Sequence, residues 1–273
     1  MKSIFVLFLL FGSITQAQQN KVIFSKNQNT DKEVVGDKFV VIGKDTLVGS
    51  YSKLSDSQIF RYCDILNNEE AIRNYKNIVF NNLNCNQYKR VVTKQWNSEI
   101  IIYLDKELPK STAKAFKKFI KSLPEINNLR ISSTRNKNES NYLITTTEEK
   151  IFSDNHPRES YAYNHITYNL YADKNSKFYG GILKINLNAM TDRRLIIKKL
   201  KQFFFMSLGQ FTLDNRLKVN SLLNYDYDNN SKISEEDVEL LLLHYMRIHD
   251  VPLNCYFFSK YIKKKQLLCT NED

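Results

Sequence analysis

Glycine and proline are scarce in this chain. There are 7 Gly and 4 Pro in 273 residues, so regular elements should dominate. No glycine-rich loop is available to cradle a phosphate, and no Gly-x-Ser-x-Gly elbow presents a serine nucleophile. Histidine is equally sparse: His156, His165, His244 and His249 are the whole supply. His244 and His249 are five apart, so on a helix they point in different directions rather than at one metal. The cysteines Cys63, Cys85, Cys255 and Cys269 lack the C-x-x-C spacing of a zinc site. After the first residues, no stretch approaches the roughly 20 apolar residues of a membrane span. We therefore expect no membrane span in the mature protein.

The remaining composition fits a globular domain, 42% hydrophobic and 25% charged. The net charge is +11, with lysine runs at Lys117-Lys118, Lys198-Lys199 and Lys263-Lys264-Lys265. Such runs are usually solvated helix faces or tails. The 16 Tyr and 17 Phe come without a nucleic-acid fold motif, so no nucleic-acid partner is expected.

Met1 to Ala17 reads as an export signal: Lys2 gives the positive start, Ile4 to Phe11 the apolar run, and Thr15-Gln16-Ala17 the cleavage site. The mature protein would begin near Gln18 and be secreted or periplasmic. In such a compartment the even cysteine count suggests disulfides. Three pairings are possible, and the local pairs Cys63–Cys85 and Cys255–Cys269 are the simplest expectation.

Gln18 to Lys32 is a polar leader, and Lys38 to Ser50 reads as a hairpin built on Phe39 to Ile42 and Thr46 to Val48. Ser57 to Asn84 predicts helices broken near Asn67-Asn68. From Ser98 the pattern changes. Ile100 to Leu104 is a buried strand, and Lys110 to Leu123 a helix capped by Ser111. Strands follow at Leu129 to Ile131, Tyr142 to Ile144, Ile166 to Tyr171 (alternating, as an edge strand should) and after Gly180-Gly181. Thr191 or Asp192 then caps a long helix with Ile196, Leu200, Phe203, Phe204 and Leu208 on one face, ended by Gly209 in a left-handed cap.

This order resembles the metzincin zinc proteases, in its last part the matrixin-like branch. The family's helix reads H-E-x-x-H-x-x-G-x-x-H. Aligned on Leu208-Gly209, it places Gln202, Met206 and Thr212 at the three ligand positions and Phe203 at the general base. Gly209 matches. Ser221-Leu222-Leu223-Asn224-Tyr225 falls at the Met-turn, with Leu223 where the methionine belongs. Ile233, Asp237 and Leu241 to Tyr245 resemble the closing helix. The resemblance implies an α+β fold: a zincin-like mixed sheet with an edge strand, packed on two long helices (the central motif helix and the C-terminal helix), plus an N-terminal extension. The implied division is a signal peptide at 1–17, an extension or small subdomain at 18–97, the zincin-like domain at 98–250 and a basic tail at 251–273.

The chemistry departs from that frame. Catalytic zinc needs three protein donors and an open position. Gln202 and Thr212 are neutral, weak oxygen donors, Met206 is a soft thioether, and Phe203 cannot take a proton from water. The expectation is a non-catalytic metzincin-like protein, without a cofactor, that binds an unidentified peptide or protein in the former cleft. The alternative is a divergent zinc metallopeptidase with displaced ligands. A second possible metal is calcium, in a loop with Asp226, Asp228, Asn230, Lys232 (through its carbonyl), Ser234 and Asp237 at EF-hand-like positions. Ser231 replaces the turn glycine there, and Ser234 to Asp237 reads equally as a helix capping box.

Overall fold

The structure is a computed structural model. It describes residues 35–36, 39–42, 45–47, 56–81, 85, 91–126, 128–149, 151, 160–163, 165–229 and 232–269. The expected signal peptide, the polar leader, His156, Asn230 and Ser231 lie outside the described residues. The chain forms two compact units, divided between Gln58 and Ile59.

The first unit contains a three-stranded antiparallel sheet: β1 (Val35–Gly36), β2 (Phe39–Ile42) and β3 (Asp45–Leu47), in that order. The predicted hairpin is the β2–β3 pair, with Val40 opposite Leu47 and Ile42 opposite Asp45.

Helix α1 (Asp56–Asn67) is followed by α2 (Glu69–Phe80). The break falls where the sequence places it. The Asn68 side chain accepts from the backbone N–H groups of Glu70 and Ala71, satisfying two orphan donors of the new helix. Residues from Ile59 to Asn97 belong to the same compact unit as those from Ser98 onward.

The sheet of the second unit has seven strands. These are β4 (Gln95–Trp96), β5 (Ile100–Leu104), β6 (Ile131–Thr134), β7 (Tyr142–Thr146), β8 (Ser160–Tyr163), β9 (Ile166–Ala172) and β10 (Lys177–Ile185). Helix α3 (Lys110–Ser122) joins β5 to β6. The spatial order is β6-β5-β7-β10-β9-β8, with β4 beside the start of β10. Strands β4, β5, β6, β7 and β10 run parallel, and β9 is antiparallel to both of its neighbours. The expected edge strand, Ile166 to Tyr171, is therefore not at an edge. β8 covers its outer side, a strand the sequence reading missed.

A register shift between Phe178 and Gly180 bends β10 as it passes β9. Gly181 sits next to the shift for a packing reason. A Cβ there would lie 2.8 Å from the Tyr142 ring and 2.9 Å from Leu170. The space goes to Tyr142, whose hydroxyl donates to Ser207 Oγ at 2.8 Å.

Three helices complete the unit: α4 (Arg193–Ser207), α5 (Glu235–Tyr245) and α6 (Cys255–Cys269). Asp192 caps α4 by accepting from Arg194 N at 2.8 Å. Helix α3 starts differently from expectation: Pro109 is its N-cap and makes no side-chain cap, with Ser111 already inside the helix. Among the described residues no helix is long and apolar enough to cross a membrane.

Disulfide geometry joins distant cysteines rather than local ones. Cys63 lies at bonding distance from Cys269, and Cys85 from Cys255, correcting the pairing expected from sequence. The physical reason is the packing of α6. Phe258 stacks on Tyr75 of α2 at 4.5 Å between ring centroids and meets Phe80 at 5.7 Å. The helix therefore lies on the α1–α2 layer with one cysteine at each of its own ends, and what reads as a tail is a docked element. Non-reducing peptide mapping should recover the 63–269 and 85–255 cross-links. Removing the outer bridge with Cys63→Ser and Cys269→Ser should lower unfolding free energy by roughly 2–5 kcal/mol in urea titrations. Recovery of local 63–85 links would contradict this packing.

Candidate functional site

The segment named by the metzincin resemblance begins in α4. The sequence predicts one buried face, but the C-terminal half of the helix is buried all round: Lys199 through Ser207 are all buried. Phe204 meets Phe116 of α3 and Tyr142 of β7, each at 5.4 Å between centroids. Phe203 meets Tyr168 of β9 at 6.2 Å, and Phe205 meets Phe211 at 5.9 Å. Phe203, at the general-base position, is thus a packing residue against the sheet.

Burial on every side forces each polar group in this helix to find a protein partner. Gln202 is fully buried. Its Nε2 donates to the carbonyls of Leu222 (3.2 Å) and Asn224 (2.8 Å), and its Oε1 accepts from Lys199 Nζ at 3.1 Å. The residue at the first ligand position therefore reaches the Met-turn position, as backbone support for the turn. Burial, reinforced by neighbouring Lys198, pushes the Lys199 ammonium down to about 8. Lys199 was not singled out from the sequence, because a lysine interrupting an apolar face reads as surface.

The other motif positions go elsewhere. Met206 is buried in the core. The Thr212 hydroxyl donates to Ile78 O of α2 at 2.8 Å, and its backbone N–H donates to the same carbonyl at 3.2 Å. Leu223 is fully buried. Gln202 and Thr212 thus donate to carbonyls in different parts of the fold. This donor set does not fit zinc: two neutral oxygens are engaged in hydrogen bonds and one is a thioether. Among the described residues no three His, Cys, Asp or Glu side chains form a metal-holding group.

Gly209 matches the motif, but its role differs from the expected left-handed cap. The left-handed residue is Gln210, at φ 54°. A Cβ on Gly209 would collide with the Phe211 ring and come within 2.8 Å of His244 Nε2. Its absence lets α5 approach the end of α4. The last carbonyls of α4 are taken there by side chains: Trp96 Nε1 donates to Ser207 O at 3.1 Å, and the Tyr245 hydroxyl donates to Leu208 O.

His244 is buried beside this contact. A carbonyl only accepts, so Nε2 donates to Lys94 O at 2.8 Å, and Nδ1 accepts from the Tyr75 hydroxyl at 2.9 Å. The ring is the neutral Nε2-H tautomer. Burial depresses its pKa to about 4. His249 is likewise pushed down, to about 3, by burial and by Arg247 and Lys177. Its ring meets Tyr261 edge-on at 5.0 Å. His165, at φ 72°, turns the chain from β8 into β9. The described histidines are scattered structural residues, in keeping with their spacing in sequence.

The loop considered for calcium is organised as a cap. The Ser234 hydroxyl accepts from Asp237 N at 3.1 Å, which is the N-cap bond of α5. Asp237 is fully buried, accepting from Ser221 Oγ at 2.6 Å and Leu222 N at 2.9 Å. Its carboxylate therefore serves the 221–224 turn. Among the described residues Asp226, Asp228 and Asp237 do not form a three-carboxylate group that could hold a metal, and Asn230 lies outside the described residues. Asn224 closes the same turn, donating to Leu217 O at 2.5 Å and accepting from Asp226 N at 2.6 Å.

Compared with known proteins, the chain matches no family model and no curated protein.

Two of the clefts on the second unit lie beside the helices just described. One, of about 370 Å³, lies between the starts of α2 and α5 and is lined by Glu70, Lys218, Asn220, Glu235, Glu236 and Glu239 among others. The other, of about 440 Å³, lies between residues 251–254 and the outer side of α6. Neither is lined by Gln202, Met206 or Thr212.

Two measurements test this arrangement. Gly209→Ala should destabilise the fold by about 1–3 kcal/mol, read as a lower urea midpoint, because the phenylalanine and histidine rings must move. The second uses Asp237, whose pKa burial raises to about 6 although its hydrogen bonds pull it down. A raised carboxyl pKa means the folded state holds the proton more tightly, so this contribution to stability is present at low pH and lost as pH rises toward 6. His244 has the opposite sign: its depressed pKa makes stability rise with pH between about 4 and 6.5. The penalty of Asp237→Asn should therefore be larger at pH 4.5 than at pH 7, by on the order of 2 kcal/mol. An equal penalty at both pH values would remove the buried carboxylate from this account.

Proposed function

We propose that this chain is an exported, non-catalytic, zincin-like protein that binds a peptide or protein partner. The single observation that carries the reading is Gln202. At the position where the family has its first zinc ligand, a buried amide ties α4 to the 222–224 turn, donating to the carbonyls of Leu222 and Asn224 and accepting from Lys199. A side chain so engaged supports a scaffold rather than a water-activating centre.

The chain order of elements adds to this. Strand β5, helix α3, strands β6, β7, β9 and β10, and then α4 follow the succession named for the metzincins, with β8 as an addition before β9. The inserted strand moves any strand-addition site from β9 to the outer side of β8. Export is supported by the leader-like first 17 residues and by the two cysteine pairs at bonding distance.

Metal analysis of the purified mature protein tests the proposal. Zinc should be far below one per chain, and incubation with unstructured peptides should give no cleavage that responds to chelator or to added zinc. Stoichiometric zinc together with chelator-sensitive cleavage would establish instead a metallopeptidase with displaced ligands.

A further inference from the structure

We propose that the cleft between residues 251–254 and the outer side of α6 is a docking site for an acidic peptide segment carrying an aromatic or aliphatic side chain. This rests on the binding-protein reading and names the partner's chemistry.

The floor of the cleft is apolar. Val92, Val251, Leu253 and Phe257 line it, and Val251 and Phe257 remain 73% and 51% exposed. Large apolar side chains left open in a concavity are the features that receive a partner's anchor residue. The rim is cationic: Lys260 and Lys264 stand one helical turn apart on the same side, and no acidic side chain lines the cleft. Helix α6 carries four lysines and no Asp or Glu of its own. Like charges four residues apart destabilise a helix. An incoming carboxylate would relieve that repulsion, and the complementary charge would also speed encounter.

The cleft is held in shape before any partner arrives. α6 begins at Cys255 and ends at Cys269, each at bonding distance from another cysteine. On the opposite wall, Val92 bridges Asn254, Thr93 N donates to Leu253 O at 2.8 Å, and Leu253 N donates to Thr93 Oγ1 at 3.0 Å. A preformed wall lowers the ordering cost of binding.

A lipid surface fits less well. A helix lying in a membrane interface segregates a wide apolar face from its charges. Here the apolar positions Phe258 and Ile262 are consumed by the core, and on the outer side Phe257 and Leu267 are separated by Lys260 and Lys264. Mixed charge and aromatic character in a concavity suits a peptide chain.

Fluorescence anisotropy on the full mature protein tests the proposal, with a labelled hexapeptide Asp-Phe-Asp-Leu-Asp-Glu as probe. Its Asn/Gln counterpart is the charge control, and phosphatidylglycerol vesicles are the lipid control. The acidic peptide should bind at least about tenfold more tightly than its neutral counterpart. Lys260→Glu with Lys264→Glu should weaken binding about tenfold or more, and Phe257→Ala about threefold or more. Lys117→Glu with Lys118→Glu, on the exposed side of α3, makes the same change in net charge and should stay within about twofold. Lys117, Lys118, Phe257 and Lys260 are exposed and Lys264 is half-buried, and circular dichroism checks that each variant folds. Equal binding of the neutral peptide, an equal loss in the α3 variant, or binding to vesicles without binding to peptide would overturn the cleft assignment and leave the binding-protein reading standing. Zinc-dependent cutting of the peptide would overturn that reading instead.

Discussion

A buried carboxylate and a buried amide hold one turn from two sides. Asp237 of α5 receives Ser221 Oγ and Leu222 N, while Gln202 of α4 donates to the carbonyls of Leu222 and Asn224. Each group alone would be costly to bury, because an unpaired polar atom away from water loses its solvation without return. Together they satisfy the turn, and the turn satisfies them. The arrangement fixes the spacing of α4 and α5 and lets Gly209 meet His244 closely. Position 202 is consequently a structural position. Its chemistry is that of an amide, which donates to two carbonyls through Nε2 and accepts from Lys199 through Oε1 at once.

Much of the fold was readable where the signal is local. Asn68 and Asp192 cap the helices that the sequence breaks at those points, because capping depends on a short side chain and its next two or three residues. The hairpin and most strands of the second unit follow from apolar runs. Three of the features that were not readable depend on distant contacts. Strand β8 immediately precedes the turn at His165, and its pairing depends on β9 rather than on its own pattern. The all-round burial of α4 was masked by Lys199 and Lys201, which interrupt the apolar period yet find partners at Gln202 and Asn229. The cysteine pairing depends on where α6 lies, which is set by aromatic contacts with Tyr75 and Phe80 far away in sequence.

The site was legible in one direction only. That Gln202, Phe203, Met206 and Thr212 are poor zinc donors or bases can be read residue by residue, since each donor type has its own chemistry. What these side chains do instead cannot: nothing in the spacing of Gln202 and Leu222 announces a hydrogen bond across 20 residues. The outer cleft had a faint signature, Phe257, Lys260, Lys264 and Leu267 recurring at three- and four-residue steps. Within a lysine-rich terminus that pattern is easily taken for a solvated tail, and only the docked position of the helix gives it a floor.

The two cysteine pairs are nested, one spanning 206 residues and the other 170 within it. Nearly the whole second unit is therefore a covalent ring inside a ring. A protease that severs any one bond between Cys85 and Cys255 leaves both pieces attached, and the cut molecule keeps its mass until a reductant separates them. A nick in an exposed loop is then a local wound rather than a dismemberment.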